Sequence, residues 1–138
     1  MENLEQHRAA NALARATDCR KRADEGDCLS GYPSLITNNG LLACLAYSIE
    51  KSTRDGRLVP TKQWINVANA IAFHLDKMGI ARRNGGQADA IWLRDYLAGR
   101  AQDNRNERIG VDSFTLRRAT NEALAFLGYL KRFVKTTA

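Results

Sequence analysis

Two histidines, His7 and His74, and three cysteines, Cys19, Cys28 and Cys44, are the side chains whose types could support acid–base, nucleophilic or metal chemistry. Their spacing supports none of these. The histidines fall on different predicted helices, His7 near a fraying end and His74 at the border of an apolar face, where it reads as a packed or surface side chain. Cys19 and Cys28 stand too far apart for a zinc knuckle, and no histidine follows at ligand intervals. No Ser/Cys–His–acid arrangement is supported, and Gly85-Gly86 is a loop, not a phosphate cradle. The expectation is a protein that is not an enzyme and has no metal and no cofactor. An odd number of cysteines with no C-x-x-C pair also argues against a disulfide framework and for a reducing, cytoplasmic setting.

The chemistry the sequence does offer is cationic. The net charge is +6, the pI about 9.5, and 15 of the 21 basic residues are arginine, whose planar fork of donors suits phosphate oxygens. Two rows stand out. Arg8, Arg15 and Arg22 recur at intervals of seven, which on one helix would span about 21 Å along a line, with Glu5 and Asp18 as acidic company. Near the end of the chain, Arg117, Lys131, Arg132 and Lys135 share a helical face; Lys131, Arg132 and Lys135 also suit a helix C-terminal dipole. Aromatic residues are few and none interleaves with a basic run, so the pattern points to recognition of a sugar–phosphate backbone without base stacking.

The elements that must carry these rows read as an all-α bundle of about five helices in one domain over residues 1–138. A first helix spans about 3–24, capped by Asn3, with an apolar stripe of mostly small residues (Ala9, Ala12, Leu13, Ala16, Cys19, Ala23) and Gly26 as its terminator. After a loop at Cys28–Gly31, a second covers about 33–51, with Pro33 in its first turn and Asn38-Asn39-Gly40 as a kink or a restart capped by an Asn. The stretch Tyr32–Lys51, uncharged up to Ser48, is the expected central helix and core element. After a polar connector with an Asp55-Gly56 turn, a third helix runs over about 61–78 from a Thr61 cap to a Gly79 stop. A fourth, apolar over most of its circumference, covers about 87–100, and a fifth about 112–135, starting near Asp112 or Ser113. Phe73 falls on the polar face of the third helix, which requires either a covering segment or a partner. Residues 99–110 form a polar, arginine-rich loop. With 44% hydrophobic and 26% charged residues the composition is globular. No run approaches the roughly 18 apolar residues of a membrane helix, and MENLEQHRAANA carries no signal-type segment.

Two stretches resemble a known family. Tyr32-Pro33-Ser34-Leu35-Ile36-Thr37-Asn38-Asn39-Gly40-Leu41-Leu42, with Ala46-Tyr47, is similar to the "L-P-x-L-I-x-x-N-G-L … A-L-A-F" stretch of the small α-helical subunit of the type III-B CRISPR effector, the Cmr complex. Residues 120–133, TNEALAFLGYLKRF, resemble its C-terminal "T-R-E-A-L-A-L-L-x-W-L-K-R-F" helix. Tyr32 stands where Leu is usual, and Asn121 where Arg is common. The resemblance implies a non-catalytic subunit that lies in several copies along the crRNA-bearing backbone. Its implied partners are crRNA and target RNA, other Cmr subunits and further copies of itself. Two other readings stay open. One is the small subunit of a related type III-A effector. The other is a helix-turn-helix DNA regulator, for which the connection from Met78 to Gly86 is too long.

Overall fold

The structure, a computed structural model, describes residues 3–22, 25–83, 85–100 and 111–136. Residues 101–110, most of the expected arginine-rich loop, and Ala23 and Asp24 of the expected first helix lie outside the described residues. The described chain is mostly helical, with six helices: α1 (Leu4–Arg15), α2 (Cys28–Asn39), α3 (Leu41–Lys51), α4 (Gln63–Lys77), α5 (Ala90–Leu97) and α6 (Ser113–Thr136). A short antiparallel hairpin, β1 (Thr53–Arg54) and β2 (Arg57–Leu58), joins α3 to α4. Asp55 and Gly56 both have positive φ (54° and 76°) at its tip, the backbone that a two-residue hairpin turn with the right twist requires.

The sixth helix comes from Asn38-Asn39-Gly40, which ends one helix and starts another. Gly40 sits at φ 88°, ψ 158°, a region open in practice only to a residue without a Cβ. Its N–H donates to the Ile36 carbonyl (2.7 Å), and its own carbonyl accepts from Cys44 N–H (3.1 Å). No asparagine side chain caps α3. α2 also begins earlier than expected: Cys28–Gly31 is helix, not loop, and Pro33 stands in the second turn. Asp27 caps it by accepting from Leu29 N–H (3.2 Å) and the Ser30 hydroxyl (2.8 Å).

α1 is shorter than its small-residue stripe suggested. Asn3 and Gln6 form a reciprocal capping box (2.8 and 2.9 Å), but the helix stops at Arg15 because Cys19 is pulled into the core. The Cys19 carbonyl accepts from Gln63 Nε2 (2.9 Å) and its thiol donates to the Asn66 carbonyl (3.3 Å). Gln63 Oε1 in turn accepts from Cys28 N–H (3.1 Å), so one buried amide fixes both ends of the α1–α2 connection. Nor does Thr61 cap α4: the helix starts after Lys62, and Glu25 accepts from Gln63 N–H (3.1 Å).

α4 packs against each of the other five helices. It, not Tyr32–Lys51, is the central element; nine of its fifteen residues are buried, including Val67, Ala68, Ile71 and Leu75. The Tyr32–Lys51 stretch forms one wall of the same hydrophobic cluster, to which all six helices contribute. There Tyr32, fully buried, hydrogen-bonds Ser48 (2.6 Å) and ties α2 to α3.

Candidate nucleic-acid interface

The expected cationic row of α1 is not a row. Arg8 is turned towards α6 and grips Glu122 with two prongs, Nε to Oε2 at 2.7 Å and Nη2 to Oε1 at 2.9 Å. Arg15 lies 4.5 Å from the centre of the Phe73 ring and 3.5 Å from Asp18. Arg22 lies beyond the helix end, half-buried, its Nη1 donating to the Arg20 carbonyl at 3.4 Å. Phe73 is therefore covered within the chain, by Arg15 and by Lys77 at 5.6 Å, an arrangement a ring quadrupole favours. Around it opens a cavity of about 510 Å³ whose rim mixes Arg15, Lys77 and Arg83 with Asp18, Asp76 and Asp89. This surface has no single sign of charge, and Arg83 is already paired with Asp76 (3.0 Å).

The Arg8–Glu122 pair continues inwards. Glu122 Oε2 meets Nε2 of His74 at 2.9 Å, and Nδ1 of His74 meets the Asn11 amide nitrogen at 2.9 Å. An ionised carboxylate only accepts, so Nε2 carries the proton and Nδ1 accepts from Asn11. The imidazole is fully buried and stacks on Phe126, centroids 4.4 Å apart. Burial pushes its pKa below 6.5, against the opposing pull of Glu122. For Glu122, burial pushes upwards, but the hydrogen bonds from Arg8 and His74 prevail and hold it below 4.5. Both groups bind protons more weakly when folded, so unfolding takes up protons and acid destabilises the fold. Stability is expected to be full above about pH 6.5, to fall through the His74 window below it, and to fall more steeply below about 4.5. Urea denaturation at stepped pH measures this; His74→Gln should flatten the upper window, and a wild-type curve unchanged from pH 7 to 5 would contradict it.

Because Glu122 turns inwards, α6 is left with an outer face that carries no exposed carboxylate. Phe114, Arg117, Arg118, Asn121, Gly128, Arg132 and Lys135 are exposed on it over about 30 Å. Lys131 is half-buried on its flank. No described carboxylate pairs with Arg117, Arg118, Arg132 or Lys135. Two hollows lie along the face. One, of about 290 Å³, is lined by Arg8, Phe114, Arg117, Arg118, Asn121 and Glu122; the other, of about 240 Å³, lies over Ala125, Gly128, Tyr129 and Arg132. Asp112 caps the helix through Thr115 N–H (2.7 Å), and Glu5 meets the Tyr129 hydroxyl (2.6 Å) at the rim.

Of the seven cationic residues singled out in the sequence, α6 thus groups Arg117, Lys131, Arg132 and Lys135. Arg8 and Arg15 are held in intramolecular contacts, and Arg22 is remote from any helical row. The sequence reading missed Arg118 and Phe114, and with them an aromatic beside a basic pair. The i, i+3 and i, i+4 spacing of Phe114 to Arg117 and Arg118 was the signal. The three thiols are buried and free; burial raises Cys19 and Cys28 to about 12 and Cys44 to about 11, so they are protonated at neutral pH. Among the described residues no group of three His, Cys, Asp or Glu could hold a metal ion, and no helix is long and apolar enough to cross a membrane. α5, the helix a helix-turn-helix reader would insert in a groove, has Ala90, Leu93, Tyr96 and Leu97 buried.

The family model described as CRISPR-associated protein (Cas_Cmr5) matches residues 4–137. No curated protein and no solved structure gives a match.

Proposed function

The chain belongs to the Cas_Cmr5 family of CRISPR-associated proteins, the small Cmr complex subunits, and from that premise we propose that it is a non-catalytic, cytoplasmic subunit of a type III-B RNA-guided effector. It helps to hold the crRNA–target RNA duplex through sequence-independent backbone contacts, and it packs beside other Cmr subunits and further copies of itself in antiviral defence. The observation that carries this reading is the outer face of α6: four exposed cations, no exposed carboxylate, and a length comparable to a turn of nucleic acid helix. Small residues at Ala125 and Gly128 let a phosphate backbone approach the helix closely there.

The test is binding to duplex and single-stranded RNA, by gel shift or fluorescence anisotropy, over a range of salt. Replacing Lys131 and Arg132 together by Glu should weaken binding at least tenfold and shallow the log Kd against log salt slope by about two. Helicity should be unchanged, because neither side chain belongs to the core. Undiminished RNA binding by the folded double variant would remove this face from the RNA contact. Tighter binding to a specific DNA duplex than to RNA would overturn the reading as a whole.

A further inference from the structure

Phe114 is the most exposed large hydrophobic side chain described, 71% open to solvent. It stands at the start of α6 with Arg117 and Arg118 three and four residues on, hence on the same face. We propose that Phe114, Arg117 and Arg118 form a subsite for one unpaired nucleobase of RNA, the ring stacking on the base while the two guanidinium groups hold the phosphates on either side of it. This rests on the reading of α6 as an RNA-facing surface and adds a base contact to a face otherwise suited to phosphates alone.

The geometry favours a flat π-system as the occupant. The hollow beside Phe114 is lined otherwise by Arg117, Arg118, Asn121 and the Arg8–Glu122 pair. Among the described residues it offers no second apolar side chain to enclose an aliphatic anchor from a protein partner. A nucleobase needs only one aromatic face, and stacking is indifferent to which base is present. The charge is complementary as well. Both carboxylate oxygens of Glu122 are taken up by Arg8 and His74, and Asp112 is occupied with Thr115 N–H. Among the described residues no free carboxylate therefore opposes Arg117 and Arg118 beside Phe114. The Asn121 amide, one turn further along, can reach a base edge or a ribose hydroxyl.

The full-length protein is titrated with a short single-stranded RNA bearing 2-aminopurine, with an abasic strand of equal phosphate count, and with an RNA duplex. Phe114→Ala should lose about tenfold in affinity for the base-bearing strand, lose the quenching of 2-aminopurine, and leave the abasic strand and the duplex unaffected. Phe114→Trp should restore both signals. Equal affinity of wild type and Phe114→Ala for base-bearing RNA would overturn the subsite while leaving the phosphate-contact reading intact. Failure of the wild type to bind any of the three RNAs would remove both. A Phe114→Ala variant that lost self-association or binding to an acidic peptide, with RNA binding unchanged, would assign the residue to a protein interface and overturn the base contact.

Discussion

Replacing Glu122 by Ala is expected to lower folding stability by about 3–5 kcal/mol. Glu122 accepts two hydrogen bonds from Arg8 and one from His74. Its removal strands a guanidinium at the α1–α6 interface and an imidazole N–H that is wholly buried. The buried His74 donor loses its acceptor, and that desolvation cost makes breaking the network worse than never having formed it. For a chain of this length the loss corresponds to about 10–20 °C in Tm. Glu122→Gln should be milder, since its carbonyl can still accept from one donor. Arg8→Ala should be milder too, because the Arg8 side chain is 24% exposed and water can reach the vacated site. Replacing Arg8, His74 and Glu122 together by apolar residues of similar volume should recover much of the loss. Thermal and urea denaturation measure all four; a loss below about 1 kcal/mol for Glu122→Ala would contradict the account.

The second large effect is expected at Gly40, where Val should cost about 3 kcal/mol. Nothing lies within 4 Å of a Cβ built there, so the penalty is conformational and not a clash. At φ 88° and ψ 158° a β-branched side chain is at its worst. Asn separates this from an ordinary helix stop. Asn tolerates the left-handed helical region, where ψ is near +47°, and would be a mild substitution if Gly40 closed α2 in that conformation. At the observed ψ it gains nothing, so Gly40→Asn should cost nearly as much as Gly40→Ala. A mild Asn variant beside a costly Ala variant would show that the α2–α3 junction had been misread.

What was legible in the sequence follows from local rules. The period of apolar residues located the helical segments but drew α2 and α3 as one helix, and residues such as Asn3, Asp112 and Gly79 marked termini, because caps and stops are decided within a few residues. The break at Asn38-Asn39-Gly40 was visible, but whether the chain would bend or split was not, since that depends on how α2 and α3 each meet α4. The end of α1 was misplaced for the same reason. The small-residue stripe continues past Arg15, yet a side chain 44 residues away, Gln63, takes the Cys19 carbonyl and ends the helix.

The candidate site divides along the same line. Composition, the absence of a catalytic or metal-binding pattern and the two motif stretches were sufficient to class the chain as a basic helical protein of its family, because these properties belong to residues in series. Which cations remain available was decided by tertiary structure. Arg8 and Arg117 look alike in the sequence; folding sets Arg8 opposite Glu122 and leaves Arg117 facing solvent. Turning Glu122 inwards satisfies His74 and removes the one carboxylate of α6 from its outer face, so a pairing between residues 114 apart in the chain stabilises the fold and clears the basic face. No local pattern encodes that, because it depends on where α1, α4 and α6 meet.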